Sequence, residues 1–249
     1  MKKKILIFLP FYLPGIKAGG PIRSIEAIVY HLKDEFDIYI YTSDRDLGDS
    51  KPYHKIRFDC WVNKDGYKIY YSHKNKNLVQ LKNIIKGINP HKIYLNSFFS
   101  YKHSIRIILM KKIGVIGNKI ILATRGEFSP GALNLKKMKK ITYIKISKLF
   151  GLYKSIEFHA STEKEKEHIK VHFNNKIYIA LNLIKPTIVD ENNTKEEGSL
   201  KLIFVSRISP KKNLRFALKV LKEVKGQIIF HIYGPIEDKK YWNECKNII

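Results

Sequence analysis

The chain has 249 residues, 44% of them hydrophobic, enough to build a core and to exclude a disordered protein. Lysine and arginine number 47 against 22 aspartates and glutamates, and the resulting net charge of +25 fits nucleic acid, an anionic membrane surface or a phosphorylated substrate. Cys60 and Cys245 stand alone, without CxxC or Cys/His spacing, so no disulfide framework or zinc site is indicated and a reducing cytoplasm is the expected setting.

Residues 5–9 form an apolar run that reads as a first, buried strand. The lysines before it imitate a signal peptide, but Pro10 and Pro14 interrupt the apolar stretch and no small-residue cleavage site follows. A long loop then ends in Gly19-Gly20, a pair that either lets backbone approach a ligand or simply makes a turn. Pro21 suits the first helical position, and Ile22, Ile25, Val29 and Leu32 share one helix face. Residues 37–41 (DIYIY) are the second strand. From 43 to 77 the pattern is less regular, apart from a short strand over 67–71 after a turn at 64–66. Leu78, Leu81, Ile84 and Ile85 predict a helix that stops near 87–90. A strand over 92–95 leads to a polar-aromatic loop at 96–101, a helix over 104–112 and a strand over 119–123.

That last strand runs into TRGEFSPG, 124–131, where open α/β sheets bind ligands at strand carboxyl ends. Arg125 and Glu127 make it either a ligand loop or a structural turn closed by an Arg–Glu pair. Residues 135–153 carry six lysines, with Leu135, Met138, Ile141, Ile144 and Leu149 at imperfect helical spacing. Two readings stand: a core-facing helix with a solvated basic back, or a contact with an anionic membrane. A strand over 156–160 contains His159, read as structural, and Thr162 with Glu165 reads as a capping box. The segment 176–184 is a further strand, and the polar, acidic stretch 187–199 reads as an interdomain linker.

Beyond it, 201–213 (KLIFVSRISPKKN) gives a buried strand, a loop carrying Arg207, Lys211 and Lys212, and Asn213 as helix N-cap. Leu214, Ala217, Leu218 and Leu221 line the helix, and 227–233 is the next strand, closed by Gly234-Pro235. Strand, basic loop, helix, strand is a βαβ unit whose loop suits a phosphate at a helix N-terminus, although solvated loop charges fit the same residues.

RISPKKN followed by IYGP resembles the start of the nucleotide-binding domain in family 4 glycosyltransferases, retaining enzymes of the GT-B fold. The resemblance implies two Rossmann-like domains, with Arg207 and Lys212 gripping the diphosphate of a nucleotide-sugar donor. It aligns Gly19-Gly20 with the family's glycine loop, which faces donor and acceptor. RGEFSPGAL resembles one branch of the family, placing Arg125 and Glu127 near the reacting sugar, where most relatives carry His or Asp. Asn182 is the one match to the family's PNG turn.

The expected organisation is an α/β chain of GT-B type: an acceptor-side Rossmann-like domain at 1–185, a linker at 186–200 and a partial nucleotide-sugar-binding domain at 201–249. The family's acidic motif, two glutamates eight apart, falls beyond Ile249, so the chain reads as truncated and of reduced or no activity alone. The implied function is transfer of a sugar from a nucleotide-diphosphate sugar to a cell-surface polysaccharide or lipid-linked acceptor. Neither a cofactor nor a metal is expected, and the location is cytoplasmic, peripheral at the inner membrane face. A basic nucleic-acid-binding α/β protein is the alternative. The basic residues are spread along the chain with no RRM, KH or zinc-finger pattern, so no nucleic acid is the expectation. A nicotinamide-dependent enzyme lacks its G-x-G-x-x-G after the first strand.

Overall fold

The computed structural model describes residues 2–186 and 198–249. The chain divides into two compact units, 1–186 and 187–249. Most of the predicted linker, 187–197, lies outside the described residues, while Ser199 and Leu200 already belong to a strand.

The first unit is a Rossmann-like sheet of eight strands. They are β1 (Lys3–Phe8), β2 (Phe36–Ser43), β3 (Trp61–Lys64), β4 (Tyr67–Ser72), β5 (Lys92–Asn96), β6 (Lys119–Ala123), β7 (Glu157–Ala160) and β8 (Ile177–Ile179). Their order is β3-β4-β2-β1-β5-β6-β7-β8, and every pair is parallel except β3 against β4. The order runs away from β1 in both directions, so the crevice at its carboxyl end is the topological switch point.

Strand alternation explains the continuous apolar run of β1. Leu6 and Phe8 enter one core with Ile93, Leu95 and Leu122, while Ile7 and Leu9 enter a second core under helix α1 (Gly20–Leu32), through Ile22, Ile25 and Val29. Helix α2 (Leu78–Ile88) is opened by a capping box between Asn77 and Gln80 and buries Leu81, Ile85 and Ile88. Leu78, predicted on that face, is exposed because it is the first helical residue and lies beyond the sheet.

Three local expectations change. β3 escapes the sequence because it is four residues long and half polar; it is held as a hairpin by the Asp65-Gly66 turn and by Trp61 against Tyr39 and Tyr70. The helix predicted from 104 begins instead as a π turn at Tyr101–Ile105 and continues as α3 (Arg106–Lys112). The helix predicted over 135–153 is two helices, α4 (Pro130–Asn134) and α5 (Lys137–Leu149), parted by Lys136 in the left-handed conformation. Helix α6 (Glu163–Lys170) follows β7.

The second unit pairs β9 (Ser199–Val205) with β10 (Gln227–Tyr233) in parallel, with α7 (Leu214–Lys222) between them and α8 (Lys239–Lys246) after. Leu214, Leu218, Tyr241 and Cys245 form its core against Phe204, Phe230 and Ile232. β9, predicted to be wholly buried, is covered on one face among the described residues, with Ile203 66% and Val205 76% exposed on the other.

Candidate functional site

In the second unit, β9 delivers its loop beside the loop that follows β10. Ile208 donates its backbone N–H to the carbonyl of Pro235, and Gly234 passes so close to Ser206 that an added Cβ would lie 1.8 Å from its carbonyl oxygen. Only glycine fits there, at φ +148°. Pro210–Lys212 form a 3-10 turn that brings Lys211 and Lys212 to the start of α7. Asn213 occupies the N-cap position but in a left-handed conformation, and its side chain makes no capping bond. The first-turn N–H of Arg215 is taken instead by the Tyr241 hydroxyl at 2.9 Å. Arg207 pairs with Glu237 at 2.6 Å across the two loops, whereas Lys211 and Lys212 have no side-chain partner among the described residues.

In the first unit, Gly19 has φ +65° as the N-cap of α1 and Gly20 is its first residue; beside both there is open space where a Cβ would stand. Arg125 and Glu127 do not pair with each other. Arg125 donates to Asn96 Oδ1 (2.5 Å), Asn182 Oδ1 (2.6 Å) and the Tyr94 hydroxyl (3.1 Å). Tyr94 in turn donates to His159 Nδ1 (2.6 Å), because His159 Nε2 gives its hydrogen to the carbonyl of Ala180 (2.9 Å). Burial keeps this imidazole neutral by lowering its pKa.

Glu127 accepts from the Ser97 hydroxyl (2.7 Å) and the backbone N–H groups of Phe98 (2.5 Å) and Phe99 (3.4 Å). Burial raises its pKa against the pull of these donors. Both residues therefore hold strand-end loops in place: Glu127 fixes 97–99, and Arg125 ties β5 to the segment after β8. Glu165, the predicted capping-box acid, instead takes the Thr124 hydroxyl, the Gly126 N–H and both the N–H and hydroxyl of Ser161, at 2.6–2.8 Å. Thr162 keeps its half of the cap.

Sequence reading missed the largest cavity of the first unit, about 670 Å³, at the carboxyl ends of β1, β2, β4 and β5. It gathers Asp44, His73, Lys74, Lys102 and Arg106 from four separate loops. His73 Nδ1 meets Asp44 at 2.6 Å, and Phe58 stacks on its ring. The signal available in the sequence was only that each lies just beyond a strand. No group of three or more His, Cys, Asp or Glu placed to hold a metal occurs among the described residues. Nor is any helix among them long and apolar enough to cross a membrane.

Comparison with models of known protein families finds no match, and comparison with curated protein sequences finds none. Solved structures do match. One is the apo form of the lipopolysaccharide outer core galactosyltransferase WaaB, with a TM-score of 0.53 and 13% identity over 100% of this chain. Another is described as trehalose-6-phosphate from E. coli bound with UDP-2-fluoro glucose, with a TM-score of 0.55 and 10% identity over 99% of this chain. The chain spans 64% of the first and 68% of the second. These likenesses, with the sheet order and the βαβ element, establish the fold: the chain is an α/β protein of GT-B type.

Proposed function

We propose that the protein is a glycosyltransferase that takes a sugar from a nucleotide-diphosphate donor and passes it to a saccharide or lipid-linked acceptor of a cell-surface polysaccharide. The observation that carries this reading is the basic loop between β9 and α7, in a fold shared with a galactosyltransferase and with a complex containing UDP-2-fluoro glucose. Arg207 and Lys212 would grip the diphosphate, with Lys211 beside them. As the sugar–phosphate bond breaks, negative charge grows on the leaving diphosphate, and fixed cations there lower the barrier. The family 4 resemblance adds retention of configuration, with the leaving phosphate taking the acceptor's hydroxyl proton. Arg207 first has to leave Glu237, a cheap exchange because both side chains are about half exposed. Arg125 and Glu127 act as positioning residues that keep the strand-end loops in shape.

Calorimetry with UDP and GDP tests the reading. Arg207→Ala and Lys212→Ala should each weaken binding by roughly ten- to a hundredfold. Unchanged affinity in both variants would remove the donor assignment.

The same proposal places the protein at the cytoplasmic face of an anionic membrane, through α5. Of the predicted stripe, only Ile144 is buried and Ile141 half-buried; Met138 is 80% and Leu149 82% exposed. Leu135 and Phe150 are exposed beside them, among Lys136, Lys137, Lys139, Lys145 and Lys148. Lys140 is excluded from this set, because it lies over the Phe99 ring and donates to the Ala132 carbonyl. Exposed apolar tips ringed by lysines suit a lipid headgroup layer.

A further inference from the structure

The cavity of the first unit has a charge balance that its composition hides. Three carboxylates line it, and all three are already satisfied. Asp44 takes both a bidentate contact from Arg45 (2.8 and 3.1 Å) and His73. Asp46 accepts the backbone N–H groups of Ile16, Lys17 and Leu47, and Asp49 pairs with Lys17. Of the five cations in the wall, Arg45 is committed to Asp44 and Lys76 to Asp59 at 2.7 Å. Lys74 and Lys102 have no side-chain partner among the described residues, and Arg106 bonds only to the carbonyl of Lys76. His103 adds no charge, because burial lowers its pKa to about 3.

Three uncompensated cations therefore share one cavity, at the switch point of the sheet where ligands of this architecture bind. The volume lies in the range of small-molecule sites. Its remaining lining is suited to a sugar: the exposed ring of Tyr101 offers a flat face for ring C–H groups, and Ser43, Ser72, Asn75 and Ser100 offer hydroxyl and amide partners. One carboxylate would leave two of the three cations unanswered, whereas a phosphate monoester carries close to two negative charges at neutral pH.

We propose that this cavity binds a phosphate-bearing saccharide, its phosphate held by Lys74, Lys102 and Arg106 and its ring against Tyr101. That this ligand is the acceptor of sugar transfer rests on the function proposed above; its binding does not.

Calorimetry on the whole chain, without donor, tests it with four probes: glucose 6-phosphate, an alkyl glucosyl phosphodiester, glucose and inorganic phosphate. The first two separate a free sugar phosphate from a lipid-linked one, and the tighter of them identifies the source. Lys74→Gln with Lys102→Gln should weaken the preferred probe by about tenfold or more, with an unchanged melting temperature because both side chains are exposed. Arg207→Ala with Lys212→Ala should leave it unchanged. Glucose binding as well as its phosphate, inorganic phosphate binding as tightly as either ester, or loss of binding in the Arg207/Lys212 variant in place of the Lys74/Lys102 variant would each overturn the proposal. Absence of binding by both esters would do the same. If UDP fails to bind while a sugar phosphate binds through Lys74 and Lys102, the donor reading falls and the cavity stands.

Discussion

Two buried carboxylates a short distance apart in sequence respond to pH in opposite directions. Burial pulls the Glu165 pKa up, but the hydrogen bonds from Ser161, Gly126 and Thr124 outweigh it and hold the carboxyl below its ordinary value of 4.5. A depressed value in the folded state gives stability that is present above 4.5 and is lost as pH falls through the lowered value. Glu127 has the other sign: its raised value gives stability complete below 4.5 that fades as pH rises through the raised value. Glu165→Gln should therefore cost about 1–3 kcal/mol at pH 7, by leaving donors of a buried network unmatched. Thermal unfolding at pH 7 and again well below 4.5 should show the gap between variant and parent closing in acid; a gap that persists unchanged would mean the loss is packing rather than charge. None of this network was visible in the sequence beyond Thr162 and Glu165 as a cap, because Thr124 and Glu165 stand 41 positions apart. Arg207 and Lys212 were legible because they share one short loop next to an apolar strand. The cavity lysines were not, because each is an ordinary lysine until four loops converge.

At the scale of elements, apolar strands were the easiest to read. The run KIILA is buried on both sides, and its bounds at Lys119–Ala123 agree with the predicted 119–123. Helix faces were read less well, since spacing alone does not say whether an apolar stripe has anything to pack against. α5 shows this: its inward face is Ile144 and Ser147, and most of its apolar residues point away from the core. If it meets a membrane, replacing Lys137, Lys139, Lys145 and Lys148 by Gln should cut sedimentation with anionic vesicles on the order of a hundredfold or more, at about 1 kcal/mol per lysine. Met138→Ser with Leu149→Ser should weaken it further without lowering the melting temperature, because neither side chain is in the core. Equal binding to neutral vesicles would leave α5 as a solvated helix.

For the molecule as a whole, the chain that leaves the first unit matters as much as the sheet it leaves. β8 adds only Ile177–Ile179 to β7. The residues after it are fastened in turn by His159 to the Ala180 carbonyl, by Arg125 to Asn182, by His31 to the Ile184 carbonyl (3.0 Å) and by Glu26 to Lys185 (3.5 Å), with the Lys185 ammonium also over the Tyr30 ring. Arg125→Ala with His31→Ala should speed proteolytic cutting within 181–186 several-fold while the core melts at nearly the same temperature, since exposed polar contacts contribute on the order of 1 kcal/mol each. Uniform cutting before and after the change would mean the fastening is idle. In mechanical terms, these contacts set a load path. A pull on the chain at residue 186 does not meet a three-residue edge strand that peels one rung at a time; it is divided between helix α1 and the ends of β5 and β7, and they must yield together. The short edge strand is thereby spared the strain of whatever moves beyond it.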